Sequence, residues 1–579
     1  MAGGDTIAGV IARFLEARGV ATVFALQGGH IQPIWDRAAA LGVRFVDVRD
    51  ERAAVHMAHA HGELAAAPGV APGIAMAAAG PGVTNTVTAI ANAHVARAPV
   101  VLIGGAPPRP QVGLGALQEV PQVAIMRPIT RAAWTVRDAR QVPAALDRAW
   151  RLALGGGGGD GGDPGPVYIE FPTDVLRERL PESLFEAALA PPPPPRRRPP
   201  DGGEITRAVA EIWSAEKPLV ISGRGARGAG DGLVRLLDAT GAVYLDTQES
   251  RGLVPDDHPA TVAAMRGAAM RDADLVVLVG RRLDYQLGYG SPAVFPNARF
   301  VRLADVPGEL SDNRRGVVEV AAAPALALDA IVDEAAGRAP KTDRSWAEGL
   351  RARHVERAAK LKARMAEEPA GSDGYMHPYR LLGAIDAALD PDSIVIADGG
   401  DILSFARIAL SPGTYLDAGA LGCLGVGVPF GVAAALACPG RKVISINGDG
   451  AFGFNAMEID TALRHDARAV FVVANNGGWN IERHDQLTNY DGRVRGAELR
   501  FSDYAAMARA LGLHAERIED PAALPGALER AFAKAPALLD VLVTRDAVSP
   551  DGRSGLAGVP DLQPLETWDA AEKNLNSGI

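Results

Sequence analysis

Short apolar runs recur along this chain, and each breaks at glycine before or after a stretch with helical spacing. TVFALQGG leads into HIQPIWDRAAALG and then RFVDV, and PVVLIGGA follows a later helical stretch. KPLVISGRGARG leads into GLVRLLDATG and AVYLDT, with DLVVLVGRR and RFVRLAD beyond. SIVIADGGD, KVISINGDG and AVFVVANNGG repeat the pattern a third time. Strands that alternate with helices specify α/β architecture with mainly parallel, doubly wound sheets. Ligands of such sheets sit outside the carboxyl ends of the strands, and here those ends carry the glycines and polar residues.

A chain of 579 residues is too long for one core. PPPPPRRRPP at Pro191–Pro200 reads as a stiff spacer, because proline favours an extended backbone. GRAPKTDR near Gly337 and the Pro369–Asp373 segment mark two further breaks, with a charged helix between them. The expected division is therefore a block at 1–188, a linker at 189–202, a block at 203–340, a linker at 341–372, a block at 373–546 and a tail at 547–579. The glycine tract at Gly155–Gly162 reads as a surface loop within the first block.

Charge narrows the partners. The formal net charge is -10, which leaves no basic footprint for nucleic acid. No apolar run approaches the roughly 20 residues that span a bilayer. The first residues lack the order of a signal peptide. Ile7, Val10, Ile11, Phe14 and Leu15 instead have the spacing of an amphipathic helix. A cytoplasmic location is expected. The two cysteines, Cys423 and Cys438, read as small core residues.

The stretch INGDGAFGFNAMEIDTALRHDARAVFVVANNGGWN carries the sharpest chemistry. Gly448 and Gly450 flank Asp449, so the backbone can turn there and approach a ligand. A helix expected over 455–465 would offer its N-terminal amides to an anion. An aspartate beside an anion invites a bridging divalent cation, and Mg²⁺ takes carboxylate, neutral oxygens and phosphates. Asn476 offers a side-chain carbonyl and the Gly477–Gly478 loop a main-chain one. Asp-Gly and Asn-Gly are also ordinary turn formers. The pairing of the two motifs, with 24 residues between Gly450 and Asn475, is much more specific than either turn.

This GDG…NN spacing resembles the metal–diphosphate motif of thiamine-diphosphate-dependent enzymes, in their acetolactate-synthase-like branch. The resemblance extends over nearly the whole chain and implies pyrimidine-binding, central nucleotide-fold and diphosphate-binding domains in that order. It implies that Asp449, Asn476 and the Gly478 carbonyl bind Mg²⁺. Gly400, Asp401, Gly448, Gly450, Ala451 and Trp479 would lie against the cofactor. Glu51, in RFVDVRDERAAV, matches the glutamate that bonds the aminopyrimidine and promotes deprotonation of the thiazolium C2. AAAGPGVTN (Ala77–Asn85) resembles a stretch lining the partner subunit's site, so a homodimer or homotetramer is implied.

Within the branch, LQGGHIQPIWD resembles the stretch of benzaldehyde lyase carrying an active-site histidine, here His30. GALQEVPQVAIMRPITRAAW resembles a stretch of that enzyme and of oxalyl-CoA decarboxylase carrying a glutamine, here Gln118. GALGCLGVGVPFG places Leu424 where an apolar residue wedges the cofactor into a bent form; many relatives have methionine there. Glu482 stands where pyruvate decarboxylase has a catalytic glutamate. In the central block, Arg224, Arg281 and Asp305 fall where relatives bind ADP or FAD.

The resemblance is closest to benzaldehyde lyase, oxalyl-CoA decarboxylase and 2-hydroxyacyl-CoA lyases, and the leading reading is a lyase of the benzaldehyde-lyase and 2-hydroxyacyl-CoA-lyase kind. It implies cleavage of a 2-hydroxyacyl-CoA to an aldehyde or ketone plus formyl-CoA. Acetolactate synthesis and oxalyl-CoA or 2-oxo-acid decarboxylation are the alternatives. A non-catalytic cofactor binder would have no need of Glu51. An NAD-dependent oxidoreductase would need a full G-x-G-x-x-G with an acidic partner, which the central block lacks. The tail reads as a lid over the active site or as a loose terminus.

Overall fold

The computed structural model describes residues 4–64, 71–156, 163–190, 197–554 and 570. Most of the glycine tract, Pro191–Arg196 of the proline spacer and most of the tail lie outside the described residues. The strands, in chain order, are β1 (Gly4–Thr6), β2 (Thr22–Ala25), β3 (Arg44–Asp47), β4 (Gly73–Ala77), β5 (Val100–Ala106), β6 (Ala132–Thr135), β7 (Val167–Pro172) and β8 (Arg179–Pro181). They continue as β9 (Pro218–Ser222), β10 (Val243–Leu245), β11 (Leu275–Val279), β12 (Arg299–Ala304) and β13 (Val318–Ala321). The last group is β14 (Ile394–Asp398), β15 (Thr414–Asp417), β16 (Val443–Gly448), β17 (Ala469–Asn475), β18 (His514–Ile518) and β19 (Ala537–Leu542).

These form three parallel sheets, in the orders β3-β2-β4-β5-β7-β6, β10-β9-β11-β12-β13 and β15-β14-β16-β17-β19-β18. A short antiparallel pair, β1 with β8, completes the set. The central strands β5, β11 and β17 are buried at every position, as strands covered on both faces must be.

The three sheets share one topological feature. In each, one strand has its predecessor or successor on one side and a later strand on the other: β2 between β3 and β4, β9 between β10 and β11, β14 between β15 and β16. At that reversal the outgoing loops part and leave a crevice. The loops there run very close together. A side chain at Gly28 would fall 2.5 Å from Ala78 Cβ, one at Gly225 2.8 Å from Gly280 Cα, and one at Gly399 3.3 Å from the Gly448 amide.

The first and third sheets share a core. Helix Glu51–Leu64 packs its alanine-rich face on helix Gly427–Ala437, and Met57, Ala58, Val428 and Phe430 belong to one apolar cluster. Helix Gly427–Ala437 is apolar all round, which suits its burial between the sheets. Its Phe430 ring meets the His59 ring edge-on at 5.0 Å. Burial drives the neighbouring His56 imidazole down to about 3, with His59 and Arg52 adding to the effect, so it stays neutral. Helix Ile7–Ala17 buries Ile7, Val10, Ile11, Phe14 and Leu15 on one face.

The charged helix expected between the two breaks is Arg344–Glu367, 24 residues long; its Leu350 joins the central core and its Met365 the third. One expectation changes. The helix expected over 455–465 is two short helices, Asp449–Asn455 and Glu458–Arg464. The first starts earlier because Gly448 is extended (φ -66°, ψ 150°) and caps it, placing Asp449 in its first turn. Among the described residues, no helix is long and apolar enough to cross a membrane.

Candidate active site

β16 and β17 pair in parallel through Gly448↔Ala474, so the GDG and NNGG tips sit side by side. Asp449 is 2% exposed and Asn476 7%. Asp449 Oδ2 and Asn476 Oδ1 are buried with no hydrogen-bond partner among the described residues. Burial pushes the Asp449 carboxyl up to about 7, against the amides of Gly450, Gly478 and Asn476. A carboxylate and a carboxamide oxygen, both desolvated and both unmatched, form a donor set suited to a hard divalent cation.

The two asparagines differ in role. Asn475 Nδ2 donates to Ser502 O and Asp540 Oδ1, both at 2.9 Å, so its amide holds the loop. Only Asn476 keeps its oxygen free. Gly450 has no room for a side chain, because Trp479 lies 2.5 Å from where its Cβ would stand. Ala451 is buried beside it.

The β14 tip supplies the next wall. Asp398 is fully buried, and its Oδ2 accepts the amides of Gly425 at 2.9 Å and Gly427 at 2.8 Å. Burial lifts this carboxyl to about 7, opposed by those amides. Asn455 Nδ2 donates to the Gly425 carbonyl at 2.6 Å. The loop is thus pinned just after Leu424, which stands half-buried at its turn. Gly400 is exposed, and a side chain there would meet Ile481. Asp401 does not face an open site: its oxygens accept Asn480 Nδ2 at 3.0 Å and the Ser549 amide at 3.2 Å. It anchors the start of the tail instead.

In the first sheet, Glu51 is buried at the start of its helix and accepts from Asn85 Nδ2 at 3.0 Å. A side chain at Gly82 would lie 3.3 Å from its Oε1. The entry to this helix is held from the third block. Glu458, 1% exposed, accepts the amides of Arg49 at 3.0 Å and Asp50 at 3.1 Å through Oε1, and the Thr461 hydroxyl at 2.6 Å through Oε2. Burial pushes Glu458 up to about 7.

His30 and Gln118 meet around one hub. Gln122 is buried; its Oε1 accepts the Gly80 amide at 2.5 Å, and its Nε2 donates to Gly105 O at 3.0 Å and Glu170 at 2.7 Å. Gly105 packs against His30, and Gly80 against Gln118, which adopts φ 63°. Gly80 and Gly82 share the loop that also reaches Glu51. The structure therefore brings Glu51, His30 and Gln118 to one strand-tip region. Burial lowers the His30 imidazole from its ordinary value. Glu482 is exposed in the first turn of helix Asn480–Asn489, beside a cavity of about 540 Å³ lined also by Asp485, Gln486, Tyr490, Arg493 and Arg495. Partial desolvation, then Asp485, raises its carboxyl.

Three family models match the chain: the thiamine pyrophosphate enzyme N-terminal TPP binding domain over residues 5–125, the central domain over 205–331 and the C-terminal TPP binding domain over 386–541. The chain belongs to the thiamine pyrophosphate enzyme family. It is 34% identical to the acetolactate synthase large subunit of Mycobacterium tuberculosis, over 95% of this chain and 97% of that one. It is 30% identical to a 2-hydroxyacyl-CoA lyase of Arabidopsis thaliana, over 94% and 96%. A 2-hydroxyacyl-CoA lyase 2 of Homo sapiens is 31% identical over 88% and 84%. As a member of this family the protein uses thiamine diphosphate to break or join carbon–carbon bonds.

The central block of this thiamine pyrophosphate enzyme is arranged differently. Arg224 and Arg227 both pair with Glu63, which also meets His59 at 3.0 Å. Burial would raise Glu63, but Arg224 and Arg227 outweigh it and hold the carboxyl well below the usual range. Arg281 is bidentate on Asp284 at 2.8 and 2.9 Å and reaches Gln286. Arg97 pairs with the buried Glu309. Asp305 is exposed at the β12 tip. Arg224 and Arg281, expected to meet a nucleotide phosphate, are committed to carboxylates of the chain, and the arrangement does not fit ADP or FAD as it stands.

Sequence reading missed Asn85, Gln122, Asp398 and Glu458 as site-shaping residues. Glu458 lies within the very stretch that carries the metal motif, but no spacing rule marks a carboxylate that bonds backbone more than 400 residues away. Asn85 closes the AAAGPGVTN stretch, so its position was in view and its partner was not.

Proposed function

We propose that the protein is a thiamine-diphosphate- and Mg²⁺-dependent lyase acting on a 2-hydroxyacyl-CoA, giving an aldehyde or ketone plus formyl-CoA. The observation that carries this reading is His30. Desolvation keeps its imidazole neutral at pH 7, where it can accept a proton. Cleavage of a 2-hydroxyacyl substrate needs such a base: as the C–C bond breaks, the hydroxyl proton leaves and the hydroxyl oxygen becomes the carbonyl of the released aldehyde. Decarboxylation of a 2-oxo acid has no hydroxyl proton to remove at that step.

When bound, thiamine diphosphate would supply a nucleophilic C2 carbanion and a thiazolium ring that serves as the electron sink. Asp449, Asn476 and the Gly478 carbonyl would hold Mg²⁺ and through it the diphosphate. Glu51, oriented by Asn85, would bond the aminopyrimidine and shift its proton. Leu424 would fix the bend between the rings. Gln118 would hold the substrate's oxygen atoms by hydrogen bonds, and Glu482, its carboxyl raised by desolvation and Asp485, would return the proton to the formyl carbon. The blocks at 1–188, 203–340 and 373–546 would act as pyrimidine-binding, central and diphosphate-binding domains of a cytoplasmic homodimer or homotetramer, with sites between chains.

The test is product analysis with a 2-hydroxyacyl-CoA panel, thiamine diphosphate and Mg²⁺. Formyl-CoA and aldehyde released in equal amounts are the expected outcome. Acetolactate made from pyruvate, with no formyl-CoA from any 2-hydroxyacyl-CoA, would overturn it in favour of the second reading, which the Mycobacterium tuberculosis relative supports. Glu51→Gln is expected to lower turnover about 10²–10⁴-fold while cofactor binding persists; unchanged turnover removes Glu51 from the mechanism.

A further inference from the structure

Arg545 stands three residues past the end of β19, outside every motif that pointed to the site. Its Nε donates to the carbonyl of Asn476 at 2.7 Å. One Nη donates to the carbonyl of Gly477 at 2.8 Å and to that of Leu499 at 3.3 Å. The guanidinium lies over the Phe501 ring, 4.7 Å from its centre. The residue is itself anchored. Its amide donates to Asp373 Oδ2 at 3.1 Å, and His484 Nε2 lies 3.0 Å from its carbonyl oxygen.

The loop it grips is the one that carries the free oxygens. Residues 476, 477 and 478 present three consecutive carbonyls. Arg545 takes the first two, and the Leu499 amide also donates to that of Gly477 at 2.7 Å. Gly477 turns at φ 61°, and a side chain there would fall 2.6 Å from Arg545 Nη. The left-handed turn suits glycine, and the missing side chain leaves the guanidinium its place. With the first two carbonyls drawn toward Arg545, the Asn476 side chain and the Gly478 carbonyl are what the loop has left to turn toward Asp449. A planar guanidinium can span several carbonyls at fixed angles, and an ammonium cannot.

We propose that Arg545 is the positioning residue of the metal loop: it sets the direction of the Asn476 amide and the Gly478 carbonyl without touching the metal. This rests on the Mg²⁺ reading above. Groups that orient metal ligands typically change affinity about 10–100-fold when removed.

The test is calorimetric titration of full-length apoprotein with Mg²⁺ at saturating thiamine diphosphate, for wild type, Arg545→Gln, Arg545→Lys and Asp449→Ala, alongside the Mg²⁺ dependence of turnover. Arg545→Gln is expected to weaken Mg²⁺ by about 10–100-fold, with the half-saturating Mg²⁺ concentration shifting more than kcat at saturating metal. Arg545→Lys should recover part of the loss. Mg²⁺ affinity within about twofold of wild type in folded Arg545→Gln overturns the proposal. If that variant does not fold, Arg545→Lys carries the test, and wild-type affinity there overturns it equally. Asp449→Ala separates the two levels. If it binds Mg²⁺ as wild type does, the metal reading itself falls; if it loses Mg²⁺ while both Arg545 variants keep it, only the role of Arg545 falls.

Discussion

The second and third sheets are built alike and end differently. Both reverse strand order next to their first strand, and both bring glycine loops into contact at that reversal. At the third sheet the crevice is left with Asp449 Oδ2 and Asn476 Oδ1 buried and unmatched. At the second, Arg224, Arg227 and Arg281 are matched to Glu63 and Asp284. Topology makes a crevice in both cases. The side chains at the strand tips decide whether it is completed by a ligand or by the chain itself. Glu63 comes from the first block, so the central crevice has become part of the contact that holds two blocks together.

The largest effect expected from this contrast is the loss of turnover at the third sheet. A ligand at 100 times its Kd stabilises the folded state by about 2.7 kcal/mol. Thiamine diphosphate with Mg²⁺ should give wild type a thermal shift of that origin, and Asp449→Ala should lose it entirely, together with turnover. ADP at the same excess should give none. An ADP shift comparable to that of thiamine diphosphate would break the comparison. The next effect is at the second sheet. Glu63→Gln leaves the half-buried guanidiniums of Arg224 and Arg227 without their shared carboxylate, a loss of about 1–3 kcal/mol. Urea denaturation should show that loss. An ADP-dependent recovery in Glu63→Gln alone would sharpen the contrast, because it would mean that the ion pairs are what close the crevice.

The sequence made the alternating pattern, the strand tips and the metal motif readable, because parallel sheets need unbroken apolar strands and a diphosphate clamp needs fixed residue types at a fixed spacing. Asp449 and Asn476 stand where that logic places them, on paired strand tips. What stayed hidden depends on pairing across long sequence distances. Arg224 reads as a phosphate ligand until Glu63 is seen beside it. Asp401 reads as a cofactor contact until Ser549 and Asn480 take its oxygens. The motif resemblance singles out Asn476, but the work of Asn475 is unreadable until Ser502 and Asp540, the latter on a neighbouring strand, are seen to take its amide. The helix start at Asp449 was missed because its cap is Gly448, which carries no side-chain signal.

A further expected effect is a pH dependence of stability that is fullest in the apoprotein. Asp398, Asp449 and Glu458 all stand at the third sheet's carboxyl end or the helices that follow it, and burial lifts each to about 7, from 3.8 for the aspartates and 4.5 for the glutamate. A carboxyl whose folded pKa is raised stabilises the fold fully below its unfolded value, and that contribution is lost as pH rises through the folded one. The window therefore runs from about pH 4 to about pH 7, with the apoprotein losing stability toward the alkaline end. Mg²⁺ binds the ionised form of Asp449, so metal with cofactor should reverse part of this loss, releasing a proton as it binds. Thermal midpoints measured from pH 5 to pH 8, with and without Mg²⁺ and thiamine diphosphate, should diverge as pH rises. Parallel curves would mean that the Asp449 carboxyl does not receive the metal, and the contrast between an open third sheet and a closed second one would lose its chemical basis.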